Sequence, residues 1–377
     1  MVQPFKLFQQ LIFKKNARFH ELGYANALLE DEIVSGIKKV LKTTSFGELE
    51  QLVNCFEKEF AVCVHAKYAL GVNSGTSALY YALKVFDIGP GDEVITVANT
   101  FISTITAIRE TGAECCFVDI DEATGLMDYT KLEQKITKNT KAIIPVHMYG
   151  MSANLSEICK IAKKNNLFVI EDACQAIGAS FQGKSVGAWG DVSVFSFHMT
   201  KLVGAPGDGG MLVTQKKEIH DKLRKIVLPD WDNALTSTQI RMPSRLSPLM
   251  VPVLSAKLKR LQNKVSTRCT QYKFYEHAFS NKQELRLLKP SSKTESSYRN
   301  CILVSDSIGK IKKNLSKASI PYDIIYQPSE KFLNKHSLNV ELPVTYNLIR
   351  NHIALPVGDH LEKDLLESVT KIVLSVI

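Results

Sequence analysis

The stretch YALGVNSGTSAL, residues 68–79, contains an apolar run, a glycine turn and the beginning of a helix. Tyr68–Val72 is a continuous run of strand length that ends in polar residues. Gly75 permits a tight turn, and Ser77–Phe86 then has the length and pattern of an amphipathic helix. A strand that leads through a glycine turn into a helix is the repeating unit of α/β folds, so this stretch predicts the fold class.

The same alternation continues through the following residues. Further apolar runs of strand length lie at Val94–Ala98, Ala142–Val146, Phe168–Ile170 and Val192–Phe197. Segments of helix length lie at Phe101–Thr111 and Leu155–Asn165. Since the runs are continuous rather than alternating, both faces of the strands are expected to be covered. The order of strands and helices therefore predicts a mostly parallel sheet flanked by helices.

The C-terminal third has a different organisation. It shows a long helical stretch at Leu249–Phe279, a strand at Cys301–Val304, and helices at Ile308–Ser319 and Leu361–Val376. These elements predict a smaller α+β domain. The predicted parts are an N-terminal helical extension at 1–30, a large α/β domain at 31–245, and a small C-terminal α+β domain at 246–377.

Residues 1–30 mix apolar and basic side chains, as in Phe5–Phe8 and Ile12–Lys15. One interpretation is a helix that packs on its own protein or on a dimer partner. The other is a basic amphipathic surface anchor. A short basic amphipathic patch is a weak signal for an anchor, so we favour packing.

The composition is that of a globular protein, with 377 residues, 45% apolar and 23% charged. No apolar run of about 18 residues predicts a membrane span, and Met1–His20 lacks the features of a signal peptide, so a cytoplasmic location is expected. The eight cysteines include no C-x-x-C pair and no zinc-like histidine spacing, which predicts reduced thiols and no metal site. The net charge of +9 is scattered, which disfavours nucleic-acid binding and suits a diphosphate substrate.

Polar residues that follow the predicted strands are the first candidates for a site, because open α/β sheets bind ligands at the carboxyl ends of their strands. In residues 73–79, the N–H groups of the helix start and the hydroxyls of Thr76 and Ser77 suit a phosphate group. Plain N-capping by these hydroxyls is the alternative interpretation.

A carboxylate and a lysine follow two other predicted strands. Asp172 comes after Phe168–Ile170 and Glu171, and it is expected to point into the cleft. A buried carboxylate needs a positive partner, and a protonated pyridine nitrogen would be one. Lys201 lies in a glycine-rich loop beyond Val192–Phe197. A lysine that can lose its proton is the side chain for Schiff-base chemistry.

Together these motifs resemble the DegT/DnrJ/EryC1/StrS family of sugar aminotransferases, which are fold-type I enzymes that use pyridoxal 5'-phosphate (PLP). The resemblance implies that the large domain at 31–245 is the PLP-binding domain. The motifs are SGTSAL at 74–79, EDACQAIGA at 171–179, SFHMTK at 196–201 and GDGG at 207–210. Further similar segments are Gly89–Ile95, Gly112–Asp121, Met148–Gly150, Gly183–Asp191 and Ala354–Pro356. The resemblance extends from residue 30 to residue 375 and is dense from 68 to 214.

The resemblance implies a role for each cofactor-binding position. Lys201 would carry PLP as a Schiff base and move the proton between substrate and cofactor carbons. Asp172 would pair with the protonated pyridine nitrogen and keep the ring an electron sink. The other implied contacts are Gln175 on the ring hydroxyl, Phe101 stacked on the ring, and Thr76, Ser77 and Ser196 on the phosphate. An ordinary core aromatic is the alternative for Phe101.

Two segments depart from the family pattern. The family usually has an asparagine that reaches the partner subunit's phosphate, and Pro243 stands at that position without a side-chain donor or an N–H. Near the sugar-nucleotide site the family often has an aromatic or histidine pair, where this chain has Ile325 and Tyr326, followed by Glu330 and Lys331. Only Tyr326 fits, which predicts an unusual substrate pocket or a less tightly held cofactor.

These features predict a homodimeric PLP-dependent aminotransferase that transfers an amino group, with glutamate as the expected donor, to the keto-sugar of a nucleoside-diphosphate sugar for polysaccharide biosynthesis. The resemblance also implies that relatives with histidine at the Lys201 position are dehydratases, so the lysine favours transamination. Two alternatives stay open: other PLP chemistry on the same scaffold, such as sugar dehydration or a non-nucleotide acceptor, and a non-catalytic homologue.

Overall fold

The computed structural model describes residues 22–228, 244–325 and 341–377. The described strands are β1 (Tyr68–Val72), β2 (Glu93–Val97), β3 (Glu114–Val118), β4 (Thr140–Ile143), β5 (Phe168–Asp172), β6 (Ser180–Phe181), β7 (Lys184–Ser185), β8 (Val192–Ser196), β9 (Gly210–Thr214), β10 (Arg286–Leu287), β11 (Thr294–Glu295), β12 (Cys301–Val304) and β13 (His352–Leu355). The described α-helices are α1 (Leu22–Ala27), α2 (Glu30–Lys42), α3 (Phe46–Cys63), α4 (Gly75–Lys84), α5 (Ile102–Glu110), α6 (Leu155–Lys164), α7 (Lys217–Val227), α8 (Val251–Leu258), α9 (Leu261–Phe279), α10 (Ile308–Lys317), α11 (Pro343–Asn351) and α12 (Lys363–Leu374).

The central sheet has seven strands in the order β1-β9-β8-β5-β4-β2-β3. Strands β3, β2, β4, β5 and β8 pair in parallel, whereas β9 is antiparallel to both β8 and β1. Strands β3 and β9 are additional to those predicted from the apolar runs. The expectation of a mostly parallel sheet is confirmed, because β9 is the reversed strand within it.

The register of the sheet brings distant parts of the chain together at one edge. Gly210, the first residue of β9, pairs with Val72 at the end of β1 and with Ser196 at the end of β8. Asp172, the last residue of β5, pairs with Val194 of β8. The carboxyl ends of β1, β5 and β8 therefore meet around the beginning of β9.

The apolar faces of the helices cover the strands, as the continuous runs predict. Helix α4 contacts α5, β8 and β9, α6 contacts β5, and α7 contacts β1. In α4, Ala78, Leu79, Ala82 and Leu83 are almost completely buried. This packing fixes α4 against the sheet with its N-terminus at the carboxyl ends of the strands.

A second apolar cluster joins the N-terminal helices to the chain beyond residue 244. It contains Phe56 and Phe60 of α3 together with buried residues of Leu246–Leu261. Helices α2 and α8 are so close that a Cβ on Gly36 would lie 2.6 Å from Cβ of Pro252. Leu246–Leu261 therefore packs with the N-terminal helices rather than with the C-terminal sheet.

The predicted domain limits at 30 and 245 stay predictions. For the second limit, the packing above shows that the residues directly after 245 contact the N-terminal helices. Within the predicted extension 1–30, Leu22–Ala27 forms α1, and residues 1–21 lie outside the described residues. The predicted helical stretch Leu249–Phe279 is divided into α8 and α9, because Arg260 leaves the helical conformation with φ −97° and ψ 0°.

The C-terminal part contains a three-stranded antiparallel sheet in the order β10-β12-β13. Its core combines Tyr275 of α9, Leu303 of β12 and Val369 of α12. The hydroxyl of Tyr275 donates to the backbone oxygen of Pro356 at 3.0 Å, which satisfies a buried polar group. This α+β arrangement agrees with the prediction for the C-terminal third.

None of the described helices has both the length and the apolar character to cross a membrane. Across the described ranges, no group of three or more His, Cys, Asp and Glu side chains is arranged to hold a metal ion. All eight cysteines are free thiols.

Candidate active site

The N-terminus of α4 forms one wall of the candidate site. Ser74 is its N-cap, and its hydroxyl oxygen accepts a hydrogen bond from the backbone N–H of Ser77 at 3.1 Å. Thr76 and Ser77 thus lie in the first turn, where unpaired N–H groups and the helix dipole favour an anion. The hydroxyl of Thr76 donates to Ser103 at 2.8 Å, which connects this turn to α5.

Gly75 allows the end of β8 to approach this helix start. A Cβ on Gly75 would lie 2.9 Å from Cβ of Ser196 and 3.2 Å from Sγ of Cys174. No larger residue fits without displacing one of these neighbours. Gly210 is equally confined, since its Cβ would lie 2.4 Å from the backbone oxygen of Ser74. The structure therefore brings the predicted phosphate-binding residues Thr76, Ser77 and Ser196 to one place.

Asp172 lies at the end of β5 and is only 5% exposed. Its Oδ2 accepts a hydrogen bond from the hydroxyl of Thr104 at 2.7 Å, and its Oδ1 accepts one from the N–H of Cys174 at 3.2 Å. Because Thr104 donates its one hydroxyl proton to Asp172, the 2.7 Å contact between Thr100 and Thr104 has Thr100 as the donor. A chain of two hydroxyls therefore orients the carboxylate.

The neighbouring Glu171 points to the other side of β5 and is completely buried. Its carboxylate accepts hydrogen bonds from Gly187 N, Trp189 N, Gly190 N, Ser193 Oγ and His147 Nε2, at 2.7 to 3.1 Å. Burial acts to raise the pKa of Glu171, but these donors, with His147 first, lower it below its usual range.

His147 has one defined tautomer in this network. Its Nδ1 accepts a hydrogen bond from the N–H of Ala153 at 3.1 Å, so its Nε2 carries the proton that is donated to Glu171. Glu171 and His147 therefore hold the backbone behind the site, and Asp172 is the carboxylate that faces it.

Lys201 lies in the loop between β8 and β9, where its backbone N–H donates to the oxygen of His198 at 2.8 Å. Burial lowers the pKa of its ammonium group below the usual range. The nearby Cys174 and Asp172 act to raise this pKa, and the positive charge of Arg299 acts to lower it further. Lys201 and Asp172 thus share one partly desolvated site, and more of the lysine is neutral at pH 7 than in water.

Phe101 and Gln175 complete the set of predicted cofactor contacts. Phe101 occupies the N-cap position of α5 and is 50% exposed, so it is not an ordinary core aromatic. The side-chain amide of Gln175 contacts Sδ of Met148 at 3.3 Å, a weak acceptor that a ring hydroxyl can replace. Both residues follow strands that end at this edge of the sheet.

Residues 28–374 match the profile of the DegT/DnrJ/EryC1/StrS aminotransferase family. The chain belongs to this family. The crystal structure of S. venezuelae DesV in complex with a ketimine intermediate has a TM-score of 0.89 and 29% identity, over 96% of this chain and 98% of that chain. The family resemblance and the fold-type I class expected from the sequence are confirmed.

Two curated relatives within the family are named as enzymes of nucleotide sugars. A dTDP-3-amino-3,4,6-trideoxy-alpha-D-glucose transaminase of Micromonospora megalomicea subsp. nigra is 32% identical, over 92% of this chain and 95% of that protein. A UDP-N-acetyl-3-dehydro-alpha-D-glucosamine 3-aminotransferase of Acidithiobacillus ferrooxidans is 46% identical, over 52% and 53%. The relatives at 40% identity or more are matched over only 50 to 62% of their length.

The departures from the family pattern fall almost entirely outside the described residues. Pro243, Tyr326, Glu330 and Lys331 lie there, so the expectations for them stay predictions. Ile325 is described, and its side chain packs against the core of the large sheet. A hydrophobic packing role therefore accounts for this residue.

Thr104 and Arg299 are site residues that the sequence reasoning missed. Thr104 had a possible signal in the sequence, because it is a polar residue on the otherwise apolar face of the predicted helix Phe101–Thr111. Thr100, four residues earlier, is a second polar residue next to this face. Arg299 had none, since it reaches the Lys201 loop from the distant C-terminal part. Contacts of this kind depend on tertiary packing and leave no local pattern.

Proposed function

We propose that this chain is a PLP-dependent aminotransferase that transfers an amino group, with glutamate as donor, to the keto-sugar of a nucleoside-diphosphate sugar. The proposal depends above all on one observation: Lys201 lies in the loop after β8, and β8 pairs with β5, which ends in the buried carboxylate of Asp172. Family membership and the names of the relatives support the same reaction class.

The residues of the site fit PLP. Gly75 and Gly210 keep the space between α4 and β8 free of side chains, and Ser196, Thr76 and Ser77 offer hydroxyls beside a helix N-terminus for the phosphate. Asp172 is held by donors at both oxygens, so it can face a ring nitrogen in a fixed orientation. Phe101 offers an exposed aromatic face for stacking.

Each of these side chains has a task in transamination. When bound, PLP supplies an electron-withdrawing ring that stabilises negative charge at the reacting carbon. Asp172 would keep the ring nitrogen protonated through its negative charge. The Nζ atom of Lys201 would hold the cofactor, and as a free amine it would take the proton from the amino-bearing carbon of the donor. Burial lowers the pKa of Lys201, which favours the neutral amine that this role requires.

The substrate class is inferred from the relatives and from the charge of the chain. The named relatives act on dTDP- and UDP-linked sugars. A net charge of +9 favours the approach of a diphosphate. We also propose a homodimer, supported by the exposed apolar side chains Leu41, Phe46 and Val62 on α2 and α3, which are 67 to 75% exposed. The free thiols of all eight cysteines support a reducing, cytoplasmic location.

The visible absorption spectrum tests the proposal. Purified protein given PLP is expected to develop an absorption band that depends on Lys201, and added glutamate is expected to bleach it. The Lys201→Ala variant is the control, because it lacks the amine and cannot form the same band. A keto-sugar nucleotide should then restore the band of the wild type.

Two outcomes would contradict the proposal. Absence of a band in the folded wild-type protein would favour a non-catalytic homologue. A band that glutamate bleaches, but that no nucleotide-linked keto-sugar restores while a free keto-sugar does, would move the substrate away from nucleotide sugars.

A further inference from the structure

Three cationic side chains bind alternate backbone carbonyls of the loop that carries Lys201. Nη2 of Arg299 donates to the oxygen of Thr200 at 2.5 Å. Nζ of Lys257 donates to the oxygen of Gly204 at 2.5 Å, and Nζ of Lys264 lies 3.5 Å from the oxygen of Leu202. The carbonyls on both sides of Lys201 are therefore held by positive charges.

These cations come from parts of the chain far from the loop in sequence. Lys257 belongs to α8 and Lys264 to α9, and each is only 5% exposed. Arg299 lies two residues before the start of β12. Burial of an ammonium group is costly unless its N–H donors form hydrogen bonds. The contacts of Lys257 and Lys264 with the loop carbonyls offset this cost, so the two buried lysines and the loop depend on each other.

Short-range hydrogen bonds also shape the loop, such as those from the N–H of His198 to Oγ of Ser196 and from the N–H of Thr200 to Nδ1 of His198. Within it, Lys201 N donates to His198 O and Ala205 N donates to Phe197 O. A Cβ on Gly204 would lie 2.6 Å from the oxygen of His198, so the turn is tightly folded on itself. The cations bind the carbonyls of Thr200, Leu202 and Gly204, so residues outside the loop also hold its backbone in place.

We propose that Lys257, Lys264 and Arg299 are positioning residues that hold the Lys201 loop in the geometry for cofactor capture, and that Arg299 also places the Lys201 amine in a positive field. The inference rests on the proposed function, in which Lys201 binds PLP. It adds a group of residues that touch neither cofactor nor reacting atoms and act through the loop backbone.

The charges around Lys201 agree with this role. Burial is the main cause of its lowered pKa, and Arg299 lowers the pKa further, while Cys174 and Asp172 oppose it. Lys257 and Lys264 contribute two more positive charges on the same loop. Arg299 thus has two separable effects: a hydrogen bond to the backbone and an electrostatic effect on the amine.

The test uses the variants Lys257→Met, Lys264→Met, Arg299→Gln and Arg299→Lys in the full chain. Lys259→Met is the matched control, because Lys259 lies between the two buried lysines in sequence but is exposed and paired with Glu32. The first measurement is hydrogen exchange of the amides of residues 201–205 without cofactor. The second is the pH dependence of the rate at which PLP forms its visible band.

In Lys257→Met and Arg299→Gln, exchange of the loop amides is expected to rise on the order of tenfold, because each loses a charge-assisted hydrogen bond. Lys264→Met should show a smaller rise, since its contact is longer. In Arg299→Gln, the midpoint of the pH profile is expected to move up by about one unit, which is about tenfold slower capture below the midpoint. Arg299→Lys keeps the charge and should restore the midpoint.

Loop exchange equal to that of Lys259→Met in all three neutral variants would overturn the inference. So would an equal shift of the pH profile in Arg299→Gln and Arg299→Lys, because charge would then not be the cause. Failure of the wild type to form the band would contradict the proposed function alone, since the exchange measurement needs no cofactor.

Discussion

At the scale of single residues, two adjacent carboxylates of β5 have different roles because their side chains point to opposite faces of the strand. Asp172 faces the cleft and receives two donors, whereas Glu171 faces the interior and receives five. The sequence predicted that Asp172 points into the cleft, and a strand then places the neighbouring Glu171 on the opposite face. The donors of Glu171 were not predictable, because they come from residues brought together by tertiary packing. The position of Lys201 was predictable, because it lies in the glycine-rich loop just beyond a predicted strand.

Glu57 of α3 is a buried carboxyl whose titration should affect stability. Its Oε1 accepts a hydrogen bond from Gly71 N at 2.7 Å, but burial raises its pKa from 4.5 to about 7. The folded state therefore binds its proton more tightly than the unfolded state. The stabilisation is complete below pH 4.5 and is lost as pH rises through 7.

We expect Glu57→Gln to remove this loss, because glutamine keeps an acceptor for Gly71 without a charge. At pH 8 the variant should be more stable than wild type by on the order of 2–3 kcal/mol, and near pH 4 the two should be similar. Urea unfolding at both pH values measures the difference. Equal pH dependence in the two proteins would show that the carboxyl does not titrate in this range.

At the scale of elements, the start of α4 depends on a close approach between helix and strand. A Cβ on Gly75 would meet Ser196 and Cys174 at 2.9 and 3.2 Å. Gly75→Ala is therefore expected to destabilise the fold by about 1–3 kcal/mol and to weaken PLP binding more than tenfold. Thermal unfolding and a PLP titration followed by absorbance measure the two effects.

Gly309→Ala is the matched control for this substitution. Gly309 lies at the beginning of α10, and a Cβ there meets nothing within 4 Å. It should leave PLP binding unchanged and preserve or slightly raise stability, since alanine favours helix. Wild-type PLP affinity in Gly75→Ala would mean that the α4 start is not part of the cofactor site.

Most elements of the large sheet were predictable because buried parallel strands are continuous apolar runs. The division between α8 and α9 was not, since the apolar periodicity continues across Arg260 while the backbone departs from helix there. Thr100 and Thr104 were visible as polar residues, but their connection to Asp172 required the tertiary placement of the first turn of α5 beside the end of β5. Local patterns thus predicted the strand ends and missed the contacts between them.

At the scale of the whole molecule, sedimentation tests the proposed homodimer. The wild-type chain is expected to be dimeric at micromolar concentration. The double substitution Leu41→Glu and Val62→Glu should weaken association by more than tenfold, because it places charge on side chains that are 70 and 75% exposed. Lys310→Glu, on α10, is the control. A monomeric wild type would contradict the dimer.

The pairing of Tyr68 with Thr214 in the central sheet also has a consequence for synthesis on the ribosome. Strand β1 is made early, but its one neighbour in the described sheet is β9. Until β9 leaves the exit tunnel, β1 has no strand of this sheet to pair with. The turn after β1 and the start of α4 therefore cannot yet take their places in the candidate site of the nascent chain. The growing polypeptide therefore completes its ligand pocket only after most of the large sheet has been translated.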